Sequence, residues 1–118
     1  MVQWGEKSAP DALPDVDFGG FWPTISGGKF RRLYRIPAEL PNEIVIEQLR
    51  LAGLTVCRQL RRWRERQTAA TMAEIAQDAV DGVGALTLYF ERAVYCEAKA
   101  ELLRETMRPT GARKPKTQ

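Results

Sequence analysis

The segment 85–107 most constrains the fold, because its apolar residues fall on two separate arcs of a helix. At about 100° per residue, one arc holds six apolar residues: Leu86, Tyr89, Phe90, Ala93, Ala100 and Leu103. A second arc repeats every seven residues and consists of Leu88, Tyr95 and Leu102. One stripe is enough to pack a helix on its own core, so the second predicts another partner, most simply a neighbouring copy. The alternative is that the monomer itself covers the second arc.

A second long helix is predicted from Pro41 to about Gln67, since Pro suits the first helical position and an acidic residue follows at once. One arc of this helix is predicted to face the core: Ile46, Leu49, Gly53, Val56, Leu60 and Trp63. Gly53 costs about 1 kcal/mol in a helix interior, so it indicates close packing against another helix, or a bend. The apolar residues off this arc are candidates for a subunit interface: Ile44, Leu51 and Leu54.

Residues 1–28 are predicted to form a flexible N-terminal arm, because three prolines and five glycines interrupt any helical or strand period. Four apolar residues interrupt its polarity: Phe18, Phe21, Trp22 and Ile25. A solvated tail has no use for such a group. We therefore expect the arm to dock through it, on its own domain or on a neighbour.

The helical domain is predicted to span residues 29–107 and to be followed by a basic tail, 108–118. Within it, residues 29–36 form a short helix or an extended segment, and the connector 68–84 holds a short helix and a terminal turn at 81–84. The predicted fold class is all-α. It has two long, roughly antiparallel helices, one or two short helices and two extended arms.

The composition argues against enzymatic and metal-binding chemistry. The chain has no histidine and only two cysteines, which removes the commonest general base and the commonest metal ligand. Neither glycine pair before residue 29 has the setting of a phosphate-binding loop. We therefore expect no catalytic residue, no metal and no cofactor. We interpret Cys57 and Cys96 as reduced core thiols rather than a disulfide or a nucleophile.

The sequence also predicts that the chain neither crosses a membrane nor carries a secretory signal. It has no apolar run of about 18 residues. Its N-terminus lacks a basic start followed by an apolar stretch. We expect a protein that stays in the cytoplasm of the cell that makes it.

Charge is arranged in blocks along the chain. Residues 1–28 carry a net charge of −3, residues 29–67 carry +6, residues 68–107 carry −4 and residues 108–118 carry +4. The overall net charge of +3 therefore hides a strong separation, which favours electrostatic pairing between surfaces.

Two sets of charged residues are singled out within these blocks. Arg58, Arg62 and Arg66 recur every four residues and would line one side of a straight helix. They are interpreted as a solvated or salt-bridged face, as a subunit contact, or as a DNA-contacting face. Arg92 lies between the two apolar arcs of the last helix and is predicted to form a buried or interfacial ion pair. Its candidate partners on the long helix are Glu43, Glu47 and Glu65.

Roughly residues 21–107 resemble the head completion proteins of tailed bacteriophages, which are small helical head-to-tail connectors (adaptors). The most specific part is YFERAV at residues 89–94, similar to the Tyr-x-x-Arg-Ala-Val helix of that family. Residues 49–63 stand where the family has its first long helix. The FWP sequence at residues 21–23, before a basic segment, resembles its aromatic–proline entry.

The resemblance implies a structural role in the virion. Such proteins join the portal vertex as a ring after DNA packaging, close the filled head and offer a platform for the tail. It implies a dodecameric ring, portal protein and tail or stopper (tail-terminator) proteins as partners, a location in the neck, and non-specific contact with packaged DNA. It implies neither a membrane nor an enzymatic activity. The basic block 29–67 of one subunit would then meet the acidic block 68–107 of the next.

The candidate contacts come from the residue patterns above and from the basic tail. Family members usually continue with a further helix, and we expect the basic tail of this chain to order only on its partner. The candidate portal or neighbour contacts are Phe21, Trp22, Arg113, Lys114 and Lys116, and the candidate subunit interface adds Leu88, Tyr95, Leu102 and Arg92. The alternative function is a small DNA-associated helical protein, although no short recognition helix after a tight turn is predicted.

Overall fold

The computed structural model describes residues 13–107 and shows a mostly helical fold with two small sheets. The helices are α1 (Gly27–Leu33), α2 (Asn42–Gln59), α3 (Arg61–Glu65) and α4 (Ala85–Met107). The antiparallel sheets pair β1 (Asp15–Val16) with β2 (Ile25–Ser26), and β3 (Ala79–Val80) with β4 (Val83–Gly84). A 3₁₀ turn spans Met72–Glu74. The chain is therefore mostly helical, as predicted, but the two small sheets mean that the fold is not strictly all-α. Within these residues, no helix combines the length and apolarity needed to span a bilayer.

The N-terminal segment from residue 13 onward is part of the folded domain, which corrects the predicted arm of residues 1–28. Its buried side chains are Leu13, Val16, Phe21 and Ile25. The register of the first sheet sets Val16 opposite Ile25, so that both enter the core. Each such side chain contributes about 2 kcal/mol by leaving water, which outweighs the disorder that the prolines and glycines favour. Residues 1–12 lie outside the described part of the chain.

Of the two predictions for residues 29–36, a short helix or an extended segment, the structure shows the helix, as part of α1. The Ser26 hydroxyl accepts a hydrogen bond from the Lys29 N–H at 3.0 Å and caps the helix start. The chain then turns at Arg35, whose φ of 55° is left-handed, and the Ile36 N–H donates back to the Arg31 carbonyl oxygen at 3.1 Å. This geometry sends the following loop toward the start of α2.

Arg31 is a buried cation that ties this loop together. Its guanidinium donates to the carbonyl oxygens of Pro37 and Leu40 and to the side-chain oxygen of Asn42. The Nε atom has no hydrogen-bond partner among the described residues. Burial lowers the pKa of Arg31, since desolvation disfavours its charge. One side chain of α1 therefore fixes the position at which α2 begins.

The predicted helix from Pro41 to Gln67 is interrupted at Leu60, which corrects its length. Leu60 has φ −98° and ψ 10°, and its N–H is shared between the carbonyl oxygens of Val56 (3.1 Å) and Cys57 (3.2 Å). This sharing tightens the last turn of α2 and redirects the chain into α3. No proline or glycine occupies this point, so the sequence carries no signal for the break.

Helices α2 and α4 pack against each other and form the centre of the fold. Residues 48–55 of α2 share a groove with residues 97–101 of α4, and residues 56–60 share another with residues 86–93. The contacts therefore run in opposite directions along the two helices. The core residues contributed by α2 are Val45, Ile46, Leu49, Ala52 and Val56. Of the predicted core arc, Ile46, Leu49, Gly53 and Val56 are buried, whereas Leu60 and Trp63 lie beyond α2 and are only partly buried.

Gly53 of α2 permits a close approach, but its neighbour is the N-terminal segment rather than a helix. A Cβ atom at this position would lie 1.9 Å from the Cζ atom of Phe18. The Phe18 ring in turn packs edge-on against Phe90 of α4, with 6.3 Å between the ring centroids. Phe18 thus joins both long helices, and only a residue without a side chain leaves room for it.

Helix α4 has the predicted bounds, but its buried arc is not the predicted one. The buried residues are Phe90, Val94, Tyr95, Ala98 and Leu102. Of the predicted core arc, Tyr89 is 73% exposed and Leu103 is also exposed. The physical reason is that α4 has two partners, α2 and the segment 13–34, so its buried face lies between the two predicted arcs.

Tyr95 shows how the segment 13–34 covers α4. Its ring stacks on Phe30 of α1, with 5.4 Å between centroids, and its hydroxyl donates to the Ser26 carbonyl oxygen at 3.0 Å. Burial raises the pKa of Tyr95 to about 12, because the phenolate would lose its solvation. The phenol therefore stays neutral and hydrogen-bonded at neutral pH.

The connector between α3 and α4 ends in a hairpin at the predicted turn. Asp81 and Gly82 both have positive φ, 52° and 81°, which is the two-residue turn that joins twisted antiparallel strands. Gln77 and Asp78, just before β3, cap the start of α4. The Gln77 side-chain oxygen accepts from the Leu86 N–H and the Asp78 carbonyl oxygen accepts from the Ala85 N–H, both at 2.7 Å.

Replacing Gly53 by Ala tests the contact that joins the N-terminal segment to α2 and α4. We expect Gly53→Ala to lower the free energy of unfolding by about 2 kcal/mol, because the Phe18 ring must move. Chemical denaturation followed by circular dichroism measures the change. Gly20→Ala is the control, since a Cβ at position 20 meets no atom within 4 Å. An unchanged or increased stability would contradict the packing, because Ala alone favours a helix by about 1 kcal/mol.

Candidate functional site

The described residues give no candidate metal site. They contain no cluster of three or more metal-ligating side chains. Both cysteines are free. Cys57 is half-buried, and desolvation raises the pKa of its thiol to about 11, so the thiol stays protonated at neutral pH. Cys96 is exposed, so its interpretation as a core thiol is wrong. The surface of the domain is therefore where a candidate site lies.

Helix α2 presents an apolar surface to solvent. Ile44, Leu51 and Leu54 are each about half exposed. They share one side of α2 because their spacings of seven and three residues are close to whole turns. They are the residues that we predicted to form a subunit interface. That they contact a neighbour remains a prediction.

Helix α4 presents a second exposed arc. Four exposed residues lie along one side of α4, since they are three, four and seven residues apart in turn: Tyr89, Arg92, Cys96 and Leu103. Leu88, beside this arc, is also exposed. The other two members of the predicted interface stripe, Tyr95 and Leu102, are only 2% and 3% exposed. Placing these two at a subunit interface is therefore wrong, because both are already buried in the core of the domain.

A groove of 460 Å³ lies between α1 and the start of α4, and we call it the α1–α4 groove. Its lining includes Leu33, Leu88 and Tyr89, all exposed apolar side chains. Lys29 Nζ donates to Glu91 Oε1 at 3.1 Å on its wall. Sequence reasoning missed Leu33, which is 62% exposed. The helical alternative for residues 29–36 would have placed it one turn after Lys29, on the same side of the helix.

Arg92 lines the α1–α4 groove and is exposed. It forms no ion pair with Glu43, Glu47 or Glu65, so the prediction of a buried pair within the chain is wrong. The neighbouring Glu91 is the residue that pairs across α1 and α4 instead. Desolvation raises the pKa of Tyr34, Cys96 adds to the shift and the positive charge of Arg92 opposes it. Because Arg92 is exposed, its guanidinium lies at the surface, where a partner can contact it.

A smaller groove of 200 Å³ lies between α2 and α4, and we call it the α2–α4 groove. Leu51 and Ala52 of α2 form its apolar part, and Glu97 and Glu101 of α4 form its acidic part. Arg104 donates a hydrogen bond to Glu101 at the end of the groove. The sequence does not predict this surface, because its two walls come from side chains 42 or more residues apart.

Five arginines lie between residues 58 and 66, and they do not form one stripe on one helix. Arg58 belongs to α2, Arg62 to α3, and Arg66 follows α3, and all three are exposed. The other two are Arg61 and Arg64. No ion pair between these arginines and a described carboxylate is present. The segment therefore forms a positively charged corner of the domain.

Phe21 and Trp22, predicted as contacts to a partner, pack on their own domain. Phe21 is buried, and the guanidinium carbon of Arg64 lies 3.9 Å from its ring centroid. Trp22 is half-buried and stacks on Phe90, with 5.2 Å between centroids. Both rings also contact Trp63 of α3. Phe21 is therefore a core residue, whereas a contact of the half-buried Trp22 with a partner remains a prediction. The other predicted contacts of this kind, Arg113, Lys114 and Lys116, lie outside the described residues.

Comparison with known families identifies the chain. The model of a family described as phage head completion protein (GPL) matches residues 16–118, which include all four helices. Comparisons with curated proteins and with solved structures found no match. The resemblance on residues 21–107 is thereby confirmed, since the match spans most of the chain. The chain belongs to the phage head completion protein (GPL) family, a structural family of the phage head.

Proposed function

We propose that this protein is a head-to-tail connector subunit that forms a ring on the portal vertex, closes the DNA-filled head and provides the platform for tail attachment. Membership of the head completion family supports a structural role in the virion. The proposal adds a place, the neck between head and tail. It also adds partners: the portal protein, tail or stopper (tail-terminator) proteins, and further copies of this chain in a dodecameric ring.

The observation that carries the proposal is the presence of two exposed apolar surfaces on different helices. Ile44, Leu51 and Leu54 lie on α2, whereas Leu88 and Tyr89 lie on α4. A ring requires each subunit to contact two neighbours through two different surfaces, unlike a two-fold dimer. Two separate apolar surfaces on one small domain meet that requirement, and contiguous apolar exposure of this kind is typical of interaction sites.

A second candidate function is contact with DNA through the positively charged corner. Arg58, Arg62 and Arg66 are exposed and unpaired among the described residues, which favours a polyanionic partner. Such contact is sequence-independent because it involves phosphates rather than base edges. It is compatible with a ring that surrounds DNA. If the chain formed no ring, DNA contact would be the remaining candidate function.

Electron microscopy of the protein mixed with the portal protein of the same phage tests the connector function. We expect a ring of copies on the portal, with α2 and α4 at the contacts between neighbours. Leu51→Asp and Tyr89→Asp should fold as the wild type does, because both side chains are exposed, yet fail to form the ring. Ala73→Asp on the 3₁₀ turn is the control and should assemble. Portal particles without added density would contradict the proposal.

Binding of duplex DNA, followed by fluorescence anisotropy, tests the second candidate. If the corner contacts DNA, affinity falls steeply with salt, and the triple change of Arg58, Arg62 and Arg66 to Ala reduces the slope of log K against log salt by about 3. The matched control is Arg32→Ala, an exposed arginine on α1. Equal salt slopes for the wild type and the triple variant would exclude a DNA-contacting role for these residues.

A further inference from the structure

The α1–α4 groove is basic as well as apolar. Lys29 and Arg92 line it, and Lys99 Nζ donates to the carbonyl oxygen of Tyr34, a third lining residue, at 2.8 Å. One carboxylate, Glu91, offsets these three cations through its contact with Lys29. The groove therefore offers an apolar floor with an excess of positive charge at its edge.

The α2–α4 groove has the opposite charge. Glu97 and Glu101 form its wall, and Glu47 lies one turn before Leu51 on the same side of α2. One cation, Arg104, offsets these three carboxylates by donating to Glu101. The exposed apolar residue that lines it is Leu51, and Ile44 lies two turns earlier on the same side of α2. Both grooves thus combine exposed leucine with charge, and their signs are complementary.

The two grooves face opposite directions. Leu88 of the α1–α4 groove and Glu97 of the α2–α4 groove are nine residues apart on α4, which is about 180° around the helix. A subunit with complementary surfaces on opposite sides pairs head to tail, so each copy uses one surface for the copy before it and the other for the copy after it.

We propose that the α2–α4 groove surface of one copy docks into the α1–α4 groove of the next copy. Glu97 and Glu47 then face Arg92 and Lys99, and Leu51 packs against Leu33 and Tyr89. This inference rests on the proposed connector function and names the two surfaces that meet. Pairing each groove with its own equivalent would oppose like charges, which disfavours a two-fold contact.

The pairing differs from the one that charge along the sequence indicates. Arg92 and Lys99 belong to the acidic block 68–107, and Glu47 belongs to the basic block 29–67. Each docking surface therefore uses charged residues whose sign is opposite to the net charge of the sequence block in which they lie. The docking surfaces arise from the packing of α4 between α1 and α2 and cannot be read from net charge along the chain.

Charge reversal at each groove tests the docking by analytical ultracentrifugation at low salt, up to about 1 mM protein. We expect the wild type to associate beyond a dimer, and more weakly as salt rises. Arg92→Glu and Glu97→Arg should each weaken association by about tenfold or more. The controls are Arg50→Glu and Glu74→Arg, exposed reversals outside both grooves that should associate as the wild type does.

Mixtures of the variants identify head-to-tail contact. Equal amounts of Arg92→Glu and Glu97→Arg regain association beyond a dimer, because the two unchanged surfaces meet each other and Glu at 92 of one variant meets Arg at 97 of the other. The chain carrying both changes regains association beyond a dimer, since Glu at 92 meets Arg at 97 of the next copy. A mixture that stays monomeric, or a double variant as weak as the single ones, would overturn the proposal, as would a wild type that stays monomeric throughout.

Failure of this inference is distinguishable from failure of the connector function. If Arg92→Glu and Glu97→Arg form rings on the portal as the wild type does, the copies meet through other surfaces and the docking is wrong. If the wild type forms no ring on the portal, the connector function itself is wrong.

Discussion

The structure depends on how α4 is covered. The segment 13–34 packs on one side of α4, through Trp22 on Phe90 and Phe30 on Tyr95, and α2 packs on the other. Phe18 joins these layers because Gly53 leaves space for its ring. These contacts bury one continuous arc of α4, and residues 13–107 supply no further element for its outer side. The exposure of Tyr89 and Leu103 is therefore a consequence of the packing that stabilises the monomer.

The same packing determines which chemistry the surface offers. By holding α4 between α1 and α2, it creates two grooves, one with excess positive charge and one with excess negative charge. In the proposed contact between copies, the apolar residues would provide the stability and the opposite charges would determine the orientation. The head completion family is structural, so the proposed function depends on the specificity of these surfaces. The positively charged corner around Arg58 and Arg64 is a separate surface. It lies beside the rings of Phe21 and Trp22 and outside both grooves.

The parts of the fold that the sequence predicts are those with a regular helical signal. The bounds of α4 and the core arc of α2 are of this kind. The buried arc of α4 could not be predicted, because periodicity does not show that Val94 lies between two partners rather than facing one. Docking through Phe21 and Ile25 was predicted, with the domain itself as one of two candidate partners, but the strands β1 and β2 were missed since turn residues interrupt the pattern there. Arg92 carried no signal of its exposure. The grooves combine residues distant in sequence, so only the fold brings them together.

Labelling of Cys96 tests most directly the claim that assembly covers the exposed arc of α4. Cys96 lies on that arc, one turn after Arg92, and is exposed in the monomer. The half-buried Cys57 provides an internal reference. With a maleimide, we expect rapid labelling of Cys96 in the free chain and slower labelling once the protein is bound to the portal, while the rate at Cys57 changes less. Equal labelling of Cys96 in the free and the assembled protein would contradict the account.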